Sequence, residues 1–119
     1  MTTVRHILIA LVAVAASCGL TALATPSTVW ASTAPQMAAP DGIAADPEGG
    51  IWVATALQPK VIRYAEGGEV TGEVETSQIA YAVALGGSDG RTLFAMTAPS
   101  SEPSVVDGQS LGKIEIATV

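Results

Sequence analysis

Asparagine is missing from this chain of 119 residues, which has only one cysteine, one histidine and five Lys or Arg. Each shortage removes a class of chemistry. Cys18 has no partner for an internal disulfide, and both it and His6 lie within an apolar N-terminal stretch. Zinc sites built from His and Cys are therefore out of reach, as are Ser-His-Asp and Cys-His nucleophiles. A metal held by the rest of the chain has to be a hard cation bound through oxygen. Aromatic residues make up 4% of the chain, so Trp52 and Phe94, which sit inside apolar stretches, are read as core and not as a substrate platform.

Charge is absent from one region and of one sign in the other. Through Pro40 the only charged side chain is Arg5, whereas the remainder holds eleven acidic residues against four basic ones, a net of −7. No basic patch is present, which argues against nucleic acid or an anionic membrane surface as partner.

Residues 1–6 form a short basic start, 7–16 an unbroken apolar run, and Ala22 and Ala24 an A-x-A pattern. Together they read as a secretory signal peptide over residues 1–24, with a second cut available after Val29-Trp30-Ala31, as late as residue 31. The apolar run is about ten residues, half of the roughly twenty that a membrane span needs, so a retained anchor is the lesser reading. Ala15-Ala16-Ser17-Cys18 makes a poor lipoprotein box, with Ala where a larger aliphatic residue is usual. The expected location is secreted, or periplasmic and cell envelope, with no membrane contact after cleavage. Residues 25–39 are rich in Ala, Ser, Thr and Pro without apolar period, and are expected to form a disordered linker, with Trp30 as the tail of the leader.

From Pro40 the texture changes to short apolar stretches separated by Gly, Pro and Asp turns. Strands are expected over residues 42–46, 51–55, 60–65 and 69–75, joined by hairpins at Asp46-Pro47-Glu48-Gly49-Gly50, Leu57-Gln58-Pro59 and Glu66-Gly67-Gly68. The pattern then restarts with strands over 80–85 and 91–97. Ile51-Trp52-Val53-Ala54-Thr55 and Leu93-Phe94-Ala95-Met96-Thr97 superpose at an offset of 42 residues. A polar loop over 98–111 precedes a third strand over 112–119. A period near 40 residues with four strands per unit is the spacing of a β-propeller blade, so the expected fold is all-β, about two four-stranded antiparallel blades.

Pro40-Asp41-Gly42-Ile43-Ala44-Ala45-Asp46, Gly49-Gly50-Ile51-Trp52-Val53-Ala54, Val61-Ile62-Arg63-Tyr64, Ala82-Val83-Ala84-Leu85-Gly86-Gly87, Arg91-Thr92-Leu93-Phe94 and Gly112-Lys113-Ile114 follow one another in that order. The series resembles the C-terminal part of the regucalcin (senescence marker protein)/gluconolactonase/luciferin-regenerating-enzyme-like family, over residues 40–119. The resemblance implies a six-bladed propeller, truncated here, a divalent metal (calcium, or alternatively zinc) in a central channel, and a sugar lactone as substrate. It also implies that Asp41 is a metal ligand and the general base. The family's other ligands, a glutamate and an asparagine from earlier blades, have no counterpart in this sequence, so family identity is expected with little activity of the short chain itself. The alternative is a small exported non-catalytic β-module that binds a protein or surface, or associates with itself, through an open sheet edge.

Blander roles compete for the same residues. Pro-Asp-Gly is ordinary turn chemistry, and Asp46, Glu48, Asp89 and Asp107 stand beside Pro or Gly as turn residues do. Glu66, Glu69, Glu73 and Glu75 read as a solvated strand face.

Overall fold

A computed structural model describes residues 23–119. The expected signal peptide, with Arg5, His6 and Cys18, lies outside the described residues except for its last two positions. Seven strands follow one another: β1 (Pro40–Ala45), β2 (Ile51–Thr55), β3 (Lys60–Tyr64), β4 (Val70–Glu75), β5 (Ile79–Gly86), β6 (Thr92–Ala98) and β7 (Lys113–Thr118). β1 to β4 form one sheet and β5 to β7 a second, each in sequence order and neither closed on itself. All pairings are antiparallel, as short hairpins require. At the β1–β2 hairpin the Asp46 carboxylate accepts the Glu48 and Gly50 amides, both at 3.0 Å. Gly49 takes a positive φ of 84°, which a side chain would oppose.

The repeat seen in the sequence is a repeat of register. In the first sheet Thr55 pairs with Pro40 and Val53 with Ile43, so Asp41 and Gly42 together oppose Ala54. In the second, Thr97 pairs with Ala80 and Ala95 with Val83, so Tyr81 and Ala82 together oppose Met96 across the same irregularity. Both are β-bulges, one extra residue on the first strand of each sheet. Thr55 and Thr97 are buried one residue beyond the positions opposite these bulges, and each donates its hydroxyl at 2.7 Å, to the Lys60 carbonyl and the Glu115 carboxylate respectively.

Two apolar layers hold the sheets. Between them, Trp52, Ala54 and Val61 meet Ala80, Leu93 and Ala95. On the far side of the first sheet, Val53, Ile62 and Tyr64 pack with Ala38, while Trp30, Ile51 and Val70 close the margin. The expectation of a disordered linker is corrected here for residues 30–39. A 3-10 turn spans Ala34–Gln36, the Trp30 carbonyl accepts the Gly67 amide at 3.0 Å, and the Tyr64 hydroxyl bonds Gln36 at 3.2 Å. Trp30 is thus part of the packed structure and not merely the tail of a leader. The reason is area: the far face of the first sheet is apolar, and these residues remove it from water. Residues 23–29 are exposed.

At Gly42 the two sheets approach closely. A Cβ built there would lie 2.6 Å from the Ala82 Cα and 3.0 Å from the Tyr81 carbonyl oxygen, so the approach of β1 to β5 requires glycine.

Candidate functional site

Asp41 lies one residue before that contact, inside strand β1 and within its bulge. The Pro-Asp-Gly turn expected from sequence is therefore a bulge in a paired strand. A bulge turns a side chain out of the regular alternation, a device common beside active sites. The Asp41 carboxylate is exposed, and no hydrogen bond or ion pair to it is found among the described residues. Its equivalent in the second sheet is Tyr81, half-buried at the start of β5. The bulges thus carry a carboxylate on β1 and a phenol on β5, the latter in a shallow pocket with Met96 and Ile114.

Asp41 does not line a cavity found among the described residues, whereas a concavity lies at the other end of β1. It has a volume of about 570 Å³ and runs between the Asp46 hairpin, Trp52, Arg63 and the β5–β6 turn at Asp89 and Arg91. Its main polar feature is an ion pair: Arg63 grips the Asp46 carboxylate through Nε at 2.6 Å and Nη2 at 3.1 Å, and reaches the Thr71 hydroxyl through Nη1 at 2.7 Å. The bound guanidinium, with the Gly50 and Glu48 amides, holds the Asp46 carboxyl down at about 2 against an ordinary 3.8, although burial acts the other way. Fork geometry of this kind binds strongly, and it leaves little of either group free for a ligand. Asp46, expected as a turn residue, does serve the turn, but its partner seventeen residues on is not marked by any motif. The only cue is Arg63 itself, a lone charge inside an apolar strand. Asp89 also behaves as expected, accepting the Arg91 amide at 3.0 Å.

A further polar cluster ties the sheets' connecting segment down. Glu115 accepts the Ser77 amide at 2.9 Å, the Ser77 hydroxyl at 3.0 Å and the Thr97 hydroxyl. These bonds lower its pKa, the Ser77 amide foremost. The carboxylate is thus engaged within the chain, and its role is to fasten the β4–β5 connection to β7. Trp52 is buried as expected, Phe94 half-buried, and Glu66, Glu69, Glu73 and Glu75 are exposed.

Whether a divalent cation fits depends on the donors. Among the described residues no three His, Cys, Asp or Glu side chains converge. Ca²⁺ takes six to eight oxygens and Zn²⁺ typically four ligands, so Asp41 as placed does not make a metal site by itself.

The chain has counterparts among known proteins. A model of the SMP-30/Gluconolactonase/LRE-like region matches residues 12–99. A solved structure of luciferin-regenerating enzyme is similar at 25% identity and a TM-score of 0.55, over 67% of this chain. The chain spans 28% of the length of that protein. No curated protein matches the chain.

Proposed function

The chain belongs to the SMP-30/gluconolactonase/LRE-like family, and on that premise we propose that it is a secreted two-blade portion of a gluconolactonase-like propeller, with Asp41 as the group that acts on a sugar lactone. The observation that carries this reading is the bulge that turns Asp41, exposed, out of β1 at the junction with β5. In this reading residues 1–24 are a leader removed on export, and residues 40–119 are the propeller part.

The chemistry asked of Asp41 is general-base catalysis. Its carboxylate takes a proton from a water molecule as the water oxygen bonds to the lactone carbonyl carbon. When the ring C–O bond breaks, the proton passes to the departing alkoxide, giving the hydroxy acid. A metal of the kind the family uses, calcium or zinc, needs ligands beyond the described residues, and none of these steps runs through it. Low activity of the isolated chain is part of the proposal.

The second reading, a non-catalytic exported module, draws on the outer edges of β4 and β7, which no other strand pairs among the described residues. Such edges offer free backbone donors and acceptors to another strand. An assay of the purified chain for lactone hydrolysis, with and without Ca²⁺ or Zn²⁺, separates the two. Hydrolysis that disappears in Asp41→Ala supports the catalytic reading; no hydrolysis in wild type under any condition removes it and leaves the module.

A further inference from the structure

The second sheet leans on the sheet before it, and the first sheet repeats its register. Ile51 and Val53 of β2 stand where Leu93 and Ala95 stand in β6, and Ile62 and Tyr64 of β3 where Glu115 and Ala117 stand in β7. Leu93 and Ala95 pack on Trp52, Ala54 and Val61 of the preceding sheet. By the same register, Ile51, Val53, Ile62 and Tyr64 form the face on which a sheet before the first one would lie. That place is filled by a strap of the chain itself, residues 30–38, with Trp30 and Ala38 against the face. Stacked sheets stand about 10 Å apart, so the strap and a preceding sheet exclude each other. We propose that residues 30–38 are a separable cap: seated, they shut this end of the two-sheet unit against another sheet; released, they open the far face without parting the two sheets.

The strap is built as a unit of its own. None of its residues lies in a strand. The Gln36 and Ala38 amides donate to the Thr33 carbonyl and the Met37 amide to the Ala34 carbonyl, so most of its backbone bonds close on itself. The Thr33 hydroxyl adds a bond to the Ala38 carbonyl at 3.0 Å. Its ties to the sheet are few: the Trp30 carbonyl accepts the Gly67 amide, the Gln36 side chain meets the Tyr64 hydroxyl, and the Gln36 carbonyl accepts Gln58 Nε2 at 3.1 Å. Trp30 and Ala38 supply the apolar contact. A segment tied so lightly opens at a lower free energy than strands paired along their length. Outward the strap shows Ser32, Ala34, Pro35 and Met37, which make no strand face for a further sheet to stack on. The terminal caps of repeat proteins close an array in the same way.

For the propeller reading, the seated strap is an autoinhibitory contact. A blade that brings further ligands towards Asp41 from that side has to displace the strap, and its apparent affinity is lowered by the fraction of chains in which the strap is open. The inference itself rests on the register shared by the two sheets and not on the lactone reading, since it uses neither Asp41 nor a metal.

The test is thiol accessibility in the purified full chain carrying Cys18→Ser, so that one introduced cysteine is the only thiol. Ile62→Cys places it beneath the strap, at a position 0% exposed, and Ala95→Cys between the sheets, at a position 2% exposed. With a maleimide as probe, the Ile62→Cys chain should react at least about 10-fold faster than the Ala95→Cys chain, and at least about 10-fold slower than either chain unfolded in urea. Adding Trp30→Ala should speed the first about fivefold, since losing a half-buried aromatic shifts the strap towards open, and should leave the second unchanged. If Ile62→Cys does not fold, Val53→Cys, 6% exposed on the same face, takes its place. Equal rates at the two positions overturn the proposal, because the strap then opens only with the whole fold. So does a far-face thiol that reacts as fast as in the unfolded chain, which would mean that the strap is not seated. A far-face rate indifferent to Trp30→Ala, or an Ala95→Cys rate that rises with it, overturns it as well.

Discussion

The two sheets are built on one register but differ in what covers them. Among the described residues, the first has a layer on each side, the second sheet on one and residues 30–38 on the other, whereas the second sheet is covered on its inner side alone. The same side chain type therefore does different work in each. Trp52 is 5% exposed between the sheets, while Phe94, its counterpart 42 residues on, faces outward and is half-buried. A sheet face stabilises the fold only to the extent that something removes it from water, and here position in the stack decides that, not sequence within the strand.

The largest expected effect is on this pair. Trp52→Ala should cost about 3–5 kcal/mol, the range for deleting a large buried aromatic, and Phe94→Ala less than about 1.5. Urea unfolding compares them; equal losses would show that the two sheets are equally covered. Gly42→Ala comes next, at about 3 kcal/mol, because its methyl group meets backbone atoms of β5 that cannot turn aside. If that variant unfolds with the midpoint of the wild type, β1 and β5 do not meet closely enough to require glycine.

Arg63→Met tests the cleft between the sheets. The Asp46 side chain is 6% exposed and its pKa falls from 3.8 to about 2, which corresponds to about 2 kcal/mol of stability. Since the folded value is the lower one, this contribution is present above about pH 4 and is lost as the pH falls through about 2. Arg63→Met should lose most of it at neutral pH, and its stability should then decline less steeply in acid; an unchanged acid profile would mean that the ion pair contributes little. Trp30→Ala, which uncovers part of the first sheet's far face, should cost about 1 kcal/mol, since the ring is only half-buried. The smallest effect on stability is expected at Asp41→Ala, within about 0.5 kcal/mol for an exposed side chain without partners among the described residues. Its influence belongs to activity, so a large loss of stability there would recast Asp41 as a structural residue.

Much of this architecture is legible in the sequence. Alternating apolar residues between Asp-Pro-Glu-Gly-Gly, Glu-Gly-Gly and Gly-Gly-Ser-Asp-Gly place all seven strands to within about two residues, because period-2 patterning and turn chemistry are local. The match of Ile51-Trp52-Val53-Ala54-Thr55 with Leu93-Phe94-Ala95-Met96-Thr97 carries through to pairing register. Asp41 is legible as a residue of interest, though its bulge is not, since a bulge is defined by the partner strand. Residues 30–38 pass for a linker for a related reason: Ala, Ser, Thr and Pro show no period of their own, and only the apolar face of the first sheet gives them a place. Arg63 and Asp46 share no motif and meet because β3 lies beside β2.

The sequence by itself determined the strands, their hairpin order, the repeat and the shortage of histidine, cysteine and asparagine donors, all properties of near neighbours in the chain or of composition. The tertiary structure alone decided which faces of those strands are buried, that residues 30–38 cover one of them, and that Phe94 is half-buried where Trp52 is buried. Alternation specifies that a strand has an apolar side; what lies against that side depends on residues far away in sequence.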